Sequence, residues 1–71
     1  MRNVTNKARE LRRRLGLRQA DVAVKAGVQI GQVSNAEDPK IYPVVSPSVR
    51  ARIAKALGAK PEDLWPGTAD D

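Results

Sequence analysis

The chain has 71 residues, a net charge of +5, and no Cys, His or Phe. A domain this small buries only about 60% of its unfolded surface, so a core and a deep catalytic cavity compete for the same residues. Without Cys and His, disulfides, thiolate or imidazole metal sites and imidazole acid–base catalysis are excluded. The charge is uneven: residues 1–35 carry eight basic side chains against two acidic, and residues 36–71 five against six.

A first helix is expected from Asn6 to Leu15, with Thr5 as its N-cap. Val4, Ala8, Leu11 and Leu15 recur at helical spacing and share one face. Gly16 supplies the left-handed residue that ends it. A second helix should begin at Arg18 or Gln19 and run to Ala26, with Asp21 in its first turn, where a carboxylate suits the helix dipole. Val22, Ala23 and Ala26 form its inner face, Gly27 stops it, and Val28 is expected as a buried turn residue.

A third helix fits Gln29 to Glu37, with Val33 and Ala36 inward. Asp38 precedes Pro39, which biases the chain out of helical geometry. Residues 39–46 form a loop unusually rich in Ile41, Val44 and Val45, either an extended strand-like segment or a contact surface. Ser46 as N-cap and Pro47 at the first helical position mark a fourth helix. Its stripe is Val49, Ile53, Ala54 and Leu57, and Gly58 ends it. Pro61 opens a last short turn through Leu64 and Trp65. The expected organisation is an arm over 1–5, a domain over 6–66, and an acidic tail or the start of a linker over 67–71.

No apolar run approaches the roughly 20 residues of a membrane span. Met1 to Arg14 lacks the apolar stretch of a signal peptide, so the cytoplasm is the expected address. The basic half points to a polyanion, most often nucleic acid. The competing reading is a solvated helix surface. Gln19 to Glu37 carries the sharper signal: two short helices joined at Gly27, small Ala23 before it and apolar Val33 after it. Such a pair crosses steeply, as in a helix-turn-helix, although an ordinary helical hairpin would use the same spacing.

At this stretch the chain resembles the Cro/lambda-repressor-like, or xenobiotic-response-element, family of helix-turn-helix domains. The matching pieces run in order: Leu11-Arg12, Gly16-Leu17-Arg18-Gln19, Val22-Ala23, Ala26-Gly27-Val28, Val33 and Glu37. They continue with Ile53-Ala54-Lys55-Ala56-Leu57-Gly58 and Glu62-Asp63-Leu64-Trp65. The resemblance implies an all-α, lambda-repressor-like bundle of five short helices whose third helix enters the DNA major groove. It also implies a phosphate contact from Gln19, with Arg18 beside it, and a structural ion pair between Arg12 and Glu37. Lys40 is a further phosphate candidate.

Helical geometry gives the reading face independently. With Val33 and Ala36 inward, Gly31, Ser34, Asn35 and Asp38 face out, Gln29 sits at the tip, and Ile30 and Gln32 flank. Gln29, Gln32 and Asn35 can each pair with a base edge, and Ile30 can pack on a thymine methyl. The base-contact set is therefore Gln29, Ile30, Gly31, Gln32, Ser34 and Asn35. The sequence departs from the family pattern at Ile30, Gly31 and Ala36, and its loop after Glu37 is longer. Arg13, Arg14, Arg50 and Arg52 touch either DNA or only water.

Trp65 either caps the core or joins Ile41, Tyr42, Val44 and Val45 in a dimer or partner surface. The resemblance implies symmetric dimers on inverted repeats. No enzyme, cofactor, metal, membrane contact or small-molecule ligand is expected, because no nucleophile–base pair or phosphate-cradling loop is present. The expectation is a phage- or plasmid-type repressor that binds double-stranded DNA as a homodimer. The alternatives are an antitoxin-type module that binds a protein partner, and an architectural or excision factor.

Overall fold

The computed structural model describes residues 6–65. Five α-helices follow one another: α1 (Lys7–Arg14), α2 (Gln19–Ala26), α3 (Ile30–Glu37), α4 (Pro47–Ala56) and α5 (Pro61–Leu64). A 3-10 turn, Tyr42–Val44, lies between α3 and α4. Among the described residues there is no strand, so the apolar loop is a tight turn and not an extended segment. The turn is built on Asp38. Its carbonyl accepts from Ile41 and Tyr42, and its carboxylate accepts from the Lys40 backbone N–H at 2.8 Å.

The helix ends follow local chemistry. The N-cap of α1 is Asn6, whose side chain accepts from the Arg9 N–H at 3.2 Å. The expected cap, Thr5, lies outside the described residues, as do Val4, the arm over 1–5 and the tail over 67–71. Asn is as good a cap as Thr and stands one residue closer to the helix. Three later starts share one device, a side chain at the third helical residue reaching back to the cap N–H. Asp21 accepts from Arg18, Gln32 from Gln29 and Asp63 from Lys60. Ser46 caps α4 through the Val49 N–H.

The turn from α2 to α3 needs a left-handed residue, and Gly27 supplies it with φ +70. The Val28 N–H then bonds Ala23 O and the Gly27 N–H bonds Val24 O, a paired closure that satisfies the last carbonyls of α2. The apolar residue that follows, Val28, folds back half-buried against the core rather than fully buried as expected. The same closure repeats at Gly16 with Leu17 and at Gly58 with Ala59.

The core lies where α2 packs on α3 and α4 while α1 packs on α3 and α5. Trp65, Ile53, Val22 and Val33 are its largest fully buried side chains, each worth about 1.5–3 kcal/mol of transfer free energy or more. Trp65 donates its indole N–H to Ala36 O at 2.8 Å. Ala36 and Trp65 lie in the same buried cluster. The outer end of the α1 stripe differs from expectation, since Leu15 is 50% exposed where the chain turns at Gly16.

Candidate nucleic-acid interface

Helix α3 is held from behind and open in front. Val33, Ala36 and Glu37 are buried, whereas Gln29, Ile30, Gly31, Ser34 and Asn35 are exposed. Gln32 is half-buried because its side chain turns back to the Gln29 N–H at 3.1 Å. Asp38, expected on the outward face, is half-buried and committed to the loop through the Lys40 N–H. Ile30 leaves an apolar side chain 52% exposed in the first turn.

The C-terminal end of α3 is fastened twice. Ala36 O accepts from Asn6 Nδ2 at 2.6 Å and from the Trp65 indole at 2.8 Å. Both ends of the described chain therefore close on one carbonyl of α3.

Glu37 makes the second attachment. Its carboxylate accepts from Arg12 Nε at 2.5 Å and Arg12 Nη2 at 3.2 Å, while Arg12 Nη1 donates to Leu17 O at 2.8 Å. The Glu37 side chain is 5% exposed and that of Arg12 12%. A buried carboxylate is tolerable only with its charge paired and its lone pairs filled. A third acceptor site goes to Gln19 Nε2 at 3.0 Å. Glu37 thus ties α1, α2 and α3 together, and it holds the amide of Gln19, for which position 30 offers only an Ile.

Gln19 opens α2, and Arg18 caps it. The Arg18 guanidinium is 83% exposed and bonds Asp21 at 3.2 Å. That hydrogen bond, reinforced by one from the Arg18 backbone N–H, holds the Asp21 carboxyl below its ordinary range. A polar groove of about 280 Å³ runs between Gln19 and Ser34, with Arg9 on its rim and Glu37 on its wall. The groove joins the start of α2 to the open face of α3. Arg9 was not singled out in the sequence, where it is one of several arginines without distinguishing spacing.

The other candidates divide. Lys40 is exposed. Arg50 is 4% exposed and donates to Tyr42 O at 2.8 Å, which takes it off the surface and makes it the anchor of the 3-10 turn. Trp65 and Val45 are buried within the domain, at 0% and 8% exposure, so neither forms a surface. Val44 at 81% and Ile41 at 37% remain exposed, with Tyr42 half-buried between them. Sequence reasoning missed Asn6 as a cap and Arg9 in the groove, and it offered Arg50 to DNA or water, whereas the side chain is buried. Asn before a helix was a readable capping signal, whereas nothing in the sequence marks Arg50 as buried.

Among the described residues no helix is long and apolar enough to cross a membrane. Among the same residues, no group of three or more His, Cys, Asp or Glu could hold a metal ion. Two helices joined through a left-handed glycine, the second held by its C-terminal end with a polar face free, define a helix-turn-helix protein. A family model, the helix-turn-helix domain, matches residues 6–65, and the chain belongs to that family, of the Cro-like kind. The family's general role is DNA-binding regulation, and it is typically non-enzymatic. No curated protein and no solved structure matches the chain.

Proposed function

We propose that the protein is a sequence-specific transcriptional repressor of the phage or plasmid type, acting in the cytoplasm on double-stranded DNA. It binds an inverted repeat as a homodimer, with α3 in the major groove of each half-site. The observation that carries this reading is the open face of α3. Side chains that pair with base edges, Gln29 and Asn35, stand exposed beside an unburied Ile30, which suits a thymine methyl. Gln32 pairs bidentately with a base only by releasing the Gln29 N–H, because that bond occupies its Oε1. Ser34 and Gly31 complete the face.

Phosphates are bound by Gln19, Arg18 and Lys40, which set register without reading sequence. Gln19 is supported by its place at a helix start and by Glu37, which fixes its amide. Arg18 reaches a phosphate by leaving Asp21. Ile41 and Val44 are the apolar residues available for the dimer contact.

The test is selection from a randomised duplex pool at near-physiological salt. An inverted repeat with half-site centres about 34–36 Å apart is expected. Asn35→Ala should then relax preference at one base position, by about 1–3 kcal/mol. Gln19→Ala should weaken every site alike. Recovery of duplexes with no shared motif would replace this reading with an architectural one.

A further inference from the structure

Away from the open face of α3, a cleft of about 400 Å³ lies between α2 and α4, lined by Lys25, Ala26, Arg52, Lys55 and Ala56. All three cations are exposed, and both alanines are half-buried. Only two ion pairs occur among the described residues, Arg12 with Glu37 and Arg18 with Asp21, and neither involves these cations. The cleft wall holds no acidic side chain. Three like charges around one cleft repel, so the arrangement does not serve the fold. Lys25 and Lys55 each stand in the last turn of a helix, where the dipole favours a cation. That accounts for the two lysines and in part for Arg52, but not for the alanine floor between them. Arg52 leans toward the end of α2, its Nη1 only 3.8 Å from where a side chain on Gly27 would begin.

We propose that this cleft is a docking site for an acidic protein segment, which sets one apolar side chain on Ala26 and Ala56 and its carboxylates against Lys25, Arg52 and Lys55. Charge complementarity names the sign of the partner. The floor names its kind: alanine methyls receive a side chain, whereas a phosphate backbone wants cations without an apolar base. Placement away from the bound duplex rests on the reading of the previous section. If the start of α2 meets DNA, Lys25 stands six residues further along, about 9 Å down the helix axis. A regulator so built holds DNA at one end of α2 and a partner at the other.

The experiment is a titration of the isotopically labelled full chain, without DNA, with a soluble peptide of Glu-Glu-Leu repeats, followed by amide and side-chain chemical shifts. Saturable shifts at Ala26, Arg52 and Ala56 are expected, with affinity falling as salt rises. The Arg52→Glu/Lys55→Glu variant should weaken the peptide on the order of tenfold or more. So should the milder Lys25→Gln/Arg52→Gln/Lys55→Gln variant, in which no new charge stands at a helix end. Both should keep the wild-type preference for a selected duplex over a random one, with any loss of affinity uniform across sequences and shrinking as salt rises. A peptide with Gln for Glu should leave the cleft unshifted. Shifts there caused by a random-sequence duplex and not by the peptide would overturn the proposal, as would no shift with either. Shifts that depend on protein concentration alone would give the cleft to a second copy and overturn it too. Because no DNA is present, the outcome is read independently of whether a selected motif exists.

Discussion

Gly31 allows stability and DNA binding to be pulled apart. It sits in the first turn of α3 with ordinary helical backbone, since the left-handed glycines are Gly16, Gly27 and Gly58. A Cβ built on it meets nothing within 4 Å. Gly31→Ala therefore introduces no clash and removes a residue that weakens helices by about 0.5–1 kcal/mol relative to Ala. In a first turn the lower end applies, about 0.5 kcal/mol, which raises Tm by about 2–4 °C in a domain this size. The free protein should melt higher by circular dichroism. On DNA the sign should reverse. A methyl on the groove-facing side of α3 pushes the helix off the base edges and costs about 1–3 kcal/mol, roughly a 5- to 150-fold rise in Kd. Fluorescence anisotropy on a selected duplex reads that change. A variant that melts lower would mean the fold itself demands glycine there. A variant that melts higher and binds unchanged would mean the first turn of α3 does not meet DNA.

Glu37→Ala strands Arg12 and unties Gln19. Loss of one partner from a buried pair costs about 3–5 kcal/mol, and the slight exposure of Arg12 brings the expectation to about 2–4. In thermal melts Arg12→Ala/Glu37→Ala should cost less than the two single changes added together, and strict additivity would refute the pairing. Trp65→Phe removes the indole donor to Ala36 O and part of the core volume, at about 1–3 kcal/mol by urea denaturation. Asp21 has a lowered native pKa, so its contribution is complete above the unfolded value of about 3.9 and is lost as pH falls through the native one. Fraying at the start of α2 should appear below that range, measured by exchange of the Arg18 amide, and should lose its pH dependence in Asp21→Asn. The same substitution releases Arg18 and should tighten DNA binding at low salt.

The helices were legible because their ends are written in local chemistry. Glycine stops each of α1, α2 and α4, Pro47 and Pro61 start two helices, and the spacing of Val22, Val33 and Ile53 marks the inner faces. The outward face of α3 was legible for the same reason, since a helix with two fixed inner residues has only one opposite side. What the sequence concealed depends on groups distant along the chain. Asn6 and Trp65 meet at Ala36, thirty and twenty-nine residues away. Arg50 looks like any surface cation until the 3-10 turn brings the Tyr42 carbonyl above it. Trp65 was read first as a cap on the core, with a surface role as the alternative, and its burial and its bond to Ala36 O settle it inside. The apolar loop left open an extended segment or a contact surface, and Asp38 gathers its N–H groups into a turn.

The distribution of attachments along α3 bears on how it would act. Among the described residues, every long-range hydrogen bond of α3, through Ala36 O and the Glu37 carboxylate, lies in its last two residues. Its first turn is held by local bonds alone, Gln32 to the Gln29 N–H and the helix's own ladder, and it contains the least helix-favouring residue, Gly31. A helix clamped at its C-terminal end and loosely closed at the other has a fixed axis and an adaptable tip. The fixed axis limits the orientational entropy lost on binding. The adaptable tip lets Gln29 and Gln32 exchange their mutual bond for base edges at the cost of one exposed hydrogen bond, about 0.5–1.5 kcal/mol. Gly31→Ala, through the methyl it sets against the base edges, and Glu37→Ala, through the loosened clamp, should therefore both weaken binding, for different physical reasons. Only the second should also lower Tm.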